Sequence, residues 1–249
     1  MAEFKLPTET VELPSKGYLY PEGSPLAKGE IEMKYMTAKE EDILTNTNYI
    51  RQGVVIDKLL KSLIITEGIN YSELLTGDKN AIMIAARILS YGKDYTVSVK
   101  GQQVQVDLSE LDSKPLNESI TGPRANEFNF TLPNSGNLLT FKLLTHGDEI
   151  SIEKEIAGNK KLNKEATTDV TTRLKHMITS VNGQREQKDI REFVDNYLLA
   201  KDARALREEY TRISPDVNLK FSYTDSMTGG EEEVDLPIGL DFFWPDLNP

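Results

Sequence analysis

Over the first 36 positions, apolar residues come singly or in short groups. Val11, Leu13, Tyr18, Leu19, Tyr20 and Leu26 sit between Pro7, Pro14, Gly17, Pro21, Gly23, Pro25 and Gly29. Proline has no backbone donor and a fixed φ, so this stretch is not a helix. It carries too many apolar anchors for a solvated tail. The pattern predicts an extended arm over 1–36, lying on the protein's own surface or on a partner's. Helical periodicity then begins. Thr37-Ala38-Lys39-Glu40 has capping-box spacing with acidic residues in the first turn. A helix is expected over about 50–65, where Val55, Leu59, Leu63 and Ile56, Leu60, Ile64 make a broad apolar face. Another is expected from about Asp78 to Tyr91, apolar almost all round and closed by Gly92.

After Gly92 the period changes to two. Tyr95, Val97 and Val99 alternate with polar residues, Gly101 turns the chain, and Val104, Val106 and Leu108 alternate back. A second hairpin is read in Phe128, Phe130 and Leu132, the turn Pro133-Asn134-Ser135-Gly136, and Leu139, Phe141 and Leu143. Helix period returns near Asp148. One stripe over 168–181 holds Val170, Leu174, Met177, Ile178 and Val181, stopped by Asn182-Gly183. The next two stripes are Ile190, Phe193, Val194, Tyr197, Leu198 and Ala203, Leu206, Tyr210, Ile213. A last hairpin pairs Leu219, Phe221 and Tyr223 with Val234, Leu236 and Ile238 around Gly229-Gly230. The expected class is α+β, in five stretches: arm 1–36, helical block 37–92, hairpins 93–145, helical block 146–215, and hairpin with aromatic tail 216–249. Val106-Asp107-Leu108 and Val234-Asp235-Leu236 echo each other, each after a helical block. Two related halves are conceivable, though strand composition alone accounts for so short a likeness.

Charge and composition narrow the function classes. The formal net charge is −11, and past Lys220 there is no Lys or Arg. Such a chain repels nucleic acid and anionic membrane, which need a basic surface, and suits a basic protein patch. No apolar run reaches the roughly 20 residues of a membrane helix, and the N-terminus lacks a signal-peptide core. The expectation is a soluble cytoplasmic protein that binds neither nucleic acid nor membrane. The absence of cysteine removes disulfides and thiolate chemistry.

Candidate chemistry is sparse. His146 and Asp148 have the form of half an acid/base pair, but the simpler reading of His146 is a boundary residue with its ring in water or against a carbonyl. His176 reads as a surface or interface residue. Thr145 or Asp148 can cap the helix that follows. No phosphate-binding glycine loop or nucleophile elbow occurs, and the carboxylates lack EF-hand spacing. The expectation is therefore no enzyme, no cofactor and no metal. The most conspicuous local feature is Phe242-Phe243-Trp244-Pro245. Exposed aromatics of this size forgo much burial energy, so they either plug the protein's own core or anchor in a partner's pocket.

Three segments carry a family likeness. These are Leu13-Pro14-Ser15-Lys16-Gly17-Tyr18-Leu19-Tyr20-Pro21, the run Ile31 to Leu44 (IEMKYMTAKEEDIL), and Val234-Asp235-Leu236-Pro237-Ile238 with Phe242-Phe243-Trp244-Pro245. With them the chain resembles the baseplate hub and hub-assembly proteins of T-even-like contractile-tailed phages. The resemblance implies a non-enzymatic role in assembling the hub in the infected bacterial cytoplasm, with other baseplate and tail proteins as partners. It leaves open a subunit kept in the virion or a chaperone that departs. Relatives can carry Cys-x-x-Cys knuckles in the hairpins; Val97-Ser98-Val99-Lys100 and Tyr223-Thr224-Asp225-Ser226 stand at the comparable places, so no zinc is expected. The partner-binding residues expected from arm and tail are Tyr18, Leu19, Tyr20, Phe242, Phe243 and Trp244.

Overall fold

The computed structural model describes residues 6–122, 124–162, 167–227 and 229–243. The arm is a folded element. Strand β1 (Thr8–Glu12) pairs antiparallel with β2 (Glu30–Lys34), Val11 facing Ile31. The connection between them turns inward and buries Leu13, Leu19, Tyr20 and Leu26. Its tightness depends on Gly17, at φ +77°, where an added Cβ would stand 2.4 Å from the Ala27 carbonyl oxygen.

Helix α1 (Ala38–Leu44) starts at the predicted box: the Glu40 carboxylate accepts from Thr37 N–H at 3.0 Å and from its hydroxyl at 2.6 Å. The helix expected over 50–65 is two. α2 (Thr47–Arg51) and α3 (Val55–Leu63) are separated by Gly53 at φ +68°, a left-handed turn that no continuous helix accepts. After α3 the chain straightens, and Ile64 bridges Met33 of β2. α4 (Thr76–Tyr91) runs through the core with Ile82 and Ala86 fully buried, and ends at Gly92. The expected hairpin, β3 (Asp94–Val99) and β4 (Gln102–Asp107), follows, with Tyr95 facing Val106.

β5 (Phe128–Thr131) and β6 (Leu138–Phe141) form the second hairpin, and α5 (His146–Leu162) starts after it. The stripe over 168–181 changes conformation midway. α6 (Asp169–Met177) stops at Met177, and Ile178–Val181 is strand β7, added to β6 with Phe141 facing Ile178. Helical spacing alone could not separate the two. The last four residues, two of them β-branched and apolar, find a strand edge to satisfy their backbone groups. α7 (Gln187–Asn196) and α8 (Ala200–Ile213) follow, then the hairpin of β8 (Lys220–Thr224) and β9 (Glu231–Asp235).

The echo seen in the hairpins is structural. Residues 8–108 and 128–236 repeat one unit: a strand pair joined by a loop, a helical stretch, an added strand or bridge, a long helix and a hairpin, with α7 placed before the long helix in the second copy. The same hydrogen bonds recur at matching positions. Leu13 N–H donates to Gly29 O at 2.8 Å, and Leu132 N–H to Asn137 O at 2.9 Å. In both, the loop after Leu-Pro is clamped by a buried aspartate in the first turn of the long helix: Ser15 N–H to Asp78 Oδ1 and Asn134 N–H to Asp202 Oδ1, each 2.9 Å. Lys34 reaches Glu40 at 2.8 Å, and Lys142 reaches Asp148 at 2.8 Å. Each hairpin closes with a leucine amide, Leu108 to Lys93 O at 2.9 Å and Leu236 to Leu219 O at 2.6 Å.

Candidate interaction surfaces

His146 is the residue where catalysis would be sought, and its surroundings differ from the sequence expectation. The ring is 5% exposed, packed edge-on against Tyr71 at 4.8 Å between centroids. It stands between charges from the other unit: Nε2 is 3.0 Å from Asp57 Oδ2, and Nδ1 is 3.1 Å from Lys79 Nζ. With Lys79 protonated, Nδ1 accepts, which assigns the ring hydrogen to Nε2. The approach to Asp57 is off the N–H axis and makes an electrostatic contact rather than a directed hydrogen bond. Lys79 at 2.9 Å and the Tyr71 hydroxyl at 3.1 Å both donate to Asp57 Oδ1. Burial works to raise the Asp57 pKa, but His146 and Lys79 outweigh it and hold the carboxyl well below its usual range.

Asp148 is not the partner of His146. Its carboxylate takes Lys142 and the backbone and hydroxyl of Thr145, as the cap of α5. The Asp57–Lys79–His146–Tyr71 group joins α3, α4 and the start of α5 in balanced charge, with two of its four side chains, His146 and Tyr71, buried. It fastens one unit to the other. His176 meets Glu155 at 3.0 Å, and Glu155 takes a two-pronged contact from Arg191 at 2.7 and 2.9 Å. Arg191, with help from His176, holds the Glu155 pKa at about 2 against partial burial and ties α5, α6 and α7 together. Among the described residues no three His, Asp or Glu side chains are placed to hold a metal ion.

The arm and tail residues face inward. Tyr20 is buried, its hydroxyl donating to Asp78 Oδ2 at 2.6 Å and accepting Leu75 N–H at 2.9 Å. That bond pins the arm to α4. Leu19 is buried beside it, while Tyr18 is half-buried. Phe242 and Phe243 are fully buried, stacked edge-to-face at 5.3 Å, and Phe242 meets Tyr95 of β3 at 5.0 Å. Trp244 lies outside the described residues. The tail therefore seals the first hairpin against the body. The two outer hairpins also touch: Lys100 binds Glu232 at 2.7 Å, and Gln102 exchanges hydrogen bonds with Thr224 O and Ser226 N–H. These tips, at the places marked in the sequence, are held by side-chain contacts.

The residues that organise the body were legible but not singled out. Lys-x-x-Thr-x-x-acid occurs at Lys34/Thr37/Glu40 and again at Lys142/Thr145/Asp148, and Leu-Pro-x-x-Gly occurs at 13–17 and 132–136. Asp78 and Asp202 gave no local signal, because their role depends on a loop more than 60 residues away.

A helix-and-hairpin unit is used twice, and its buried polar groups join one element to another. Residues 7–244 match the family described as T4 bacteriophage base plate protein, and the chain belongs to that family. No curated protein and no solved structure matches it.

Proposed function

We propose that the chain is a non-enzymatic structural or assembly protein of the phage baseplate hub, acting through contacts with other baseplate and tail proteins. The observation that carries this reading is the family match over nearly the whole chain. The internal use of the polar clusters supports it. His146, the candidate acid/base residue, is committed to joining the two units. Among the arm and tail residues, Tyr18 has side chain available to a partner without unfolding. Leu19, Tyr20, Phe242 and Phe243 act by fixing the surfaces that partners meet, and a partner using them directly would have to draw them out of the core.

The test is complementation. Phage lacking this protein, supplied with a tagged copy in trans, should form infectious tails, and the tag should recover hub proteins from infected cells. Tyr18→Ala should reduce that recovery while leaving the circular dichroism spectrum unchanged. Recovery of no baseplate protein under conditions where complementation succeeds would sink the reading. Mass spectrometry of purified particles separates a resident subunit from a chaperone that leaves.

A further inference from the structure

The contact that joins the two units is one-sided. The first unit offers the start of its long helix, Leu74-Leu75-Thr76. The second offers its strand-to-helix junction, Leu144-Thr145-His146. Thr76 N–H donates to Leu144 O at 3.3 Å, His146 N–H donates to Leu74 O at 2.7 Å, and Leu75 bridges Thr145. Two different surfaces meet, as in a head-to-tail interface. Each unit therefore has one surface of this pair left over. The second unit keeps an unused helix start at Leu198-Leu199-Ala200, and the first keeps an unused junction at Met36-Thr37-Ala38.

The leftover surfaces carry the marks of an uncovered contact. Leu75 is 3% exposed, whereas its counterpart Leu199 is 50% exposed and neighbouring Tyr197 is 62% exposed. Leu144 and His146 are buried, while Met36 is half-buried and Ala38 exposed. The backbone groups matching the two interunit hydrogen bonds are Ala200 N–H with Met36 O, and Ala38 N–H with Leu198 O. None of the four is hydrogen-bonded to another described residue.

We infer that a second copy of this chain docks here, its Leu198–Ala200 surface on the Met36–Ala38 surface of the first, repeating between chains the contact that joins the units within one. The occupant follows from continuity with the internal interface, whose two halves are both present and unpaired on every chain. Repetition closes a ring or extends a row according to the rotation per step. The ionic group around His146 has no counterpart between chains, because Ala38 replaces His146 and Ala203 replaces Lys79. The contact between chains is therefore weaker than the internal one and depends on concentration. With a net charge of −11 on each copy, it strengthens as salt rises.

The absence of cysteine makes a direct test available. Leu199→Cys and Met36→Cys are made in separate full-length chains. Mixed and mildly oxidised, they should give a cross-linked heterodimer, well above the level for Leu199→Cys mixed with Leu162→Cys, a position 90% exposed and remote from the contact in sequence. Sedimentation equilibrium of the unmodified chain should show a mass rising above the 28.0 kDa of one copy. Leu199→Asp should weaken that association by about tenfold or more. Three results would each overturn the proposal: a mass fixed at one copy at every concentration and salt, association that Leu199→Asp leaves unchanged, or cross-linking no better than the control pair.

Discussion

The two units solve one problem with opposite electrostatics. Each clamps a Leu-Pro loop with a buried aspartate from the first turn of a long helix. In the first, Asp78 accepts one backbone amide and the Tyr20 hydroxyl. Burial, with Asp216 adding to it, pushes its pKa up despite those bonds. In the second, Asp202 accepts the amides of Asn134 and Ser135 and the Asn134 side chain. Burial again works upward, but those donors hold its pKa below the usual value. Equal position in a fold does not fix the ionisation of a group; the balance of its burial against its donors decides it. The second clamp holds a stable carboxylate, whereas the first sits closer to protonation and relies on Tyr20, an arm residue with no counterpart in the shorter second loop.

Substitutions at matching positions test how far the equivalence extends. The largest effect is expected at Gly77. An added Cβ would lie 1.9 Å from the Pro215 carbonyl oxygen, where the first long helix packs on the second unit. Gly77→Ala should cost about 3 kcal/mol, lowering the melting temperature by on the order of 10 °C. At the counterpart, exposed Lys201, Lys201→Ala should stay within about 0.5 kcal/mol. Calorimetry showing equal shifts would break the comparison.

Next in size are the clamps. Asp78→Asn keeps an acceptor for Ser15 but none for the Tyr20 hydroxyl, a loss of about 1–2 kcal/mol in urea unfolding. Asp202→Asn sets an amide against the Ser135 N–H and should lower the melting temperature further than Asp78→Asn does. If the two rank the other way, donor count is not what separates the clamps.

Their pH dependence should run in opposite directions. Asp78, with a raised folded-state pKa, gives stability complete below the ordinary carboxylate value of ~3.9 and lost as pH rises through the folded value. Asp202, with a lowered one, gives stability complete above the ordinary value and lost as pH falls through the folded value. Urea midpoints across the acid-to-neutral range should lose the first trend in Asp78→Asn and the second in Asp202→Asn. The smallest effect is expected at the junction. His146→Ala should cost about 1 kcal/mol, because Lys79 still neutralises Asp57, whereas Ala38→Ser should be nearly silent.

Much of the fold was legible in the chain. The hairpins and their turns, the Thr37 cap and the central helix ending at Gly92 follow from periodicity and capping chemistry. The misreadings share a cause. Helical spacing continued through Ile178–Val181 because four residues cannot distinguish a helix end from a strand, and the edge of β6 decides. The arm's prolines are local signals and leave open whether it lies on the protein's own surface or on a partner's, while the Tyr20–Asp78 bond that packs it on the body spans 58 positions. Local sequence reads His146 as a boundary residue with its ring in water or against a carbonyl, whereas it is buried beside Asp57 of the other unit. Long-range polar contacts leave little trace in local spacing. The repeat was the exception, visible in Lys-x-x-Thr-x-x-acid once two copies are aligned.

The clamps also bear on how the chain is made. The bonds Ser15–Asp78 and Asn134–Asp202 span 63 and 68 positions, and neither crosses from one unit to the other. On a ribosome, the first loop can therefore lock as soon as its own long helix has emerged, while the second unit is still being synthesised. Folding can then proceed in vectorial order, the finished first unit presenting Leu75 as a template on which Leu144 and His146 arrive.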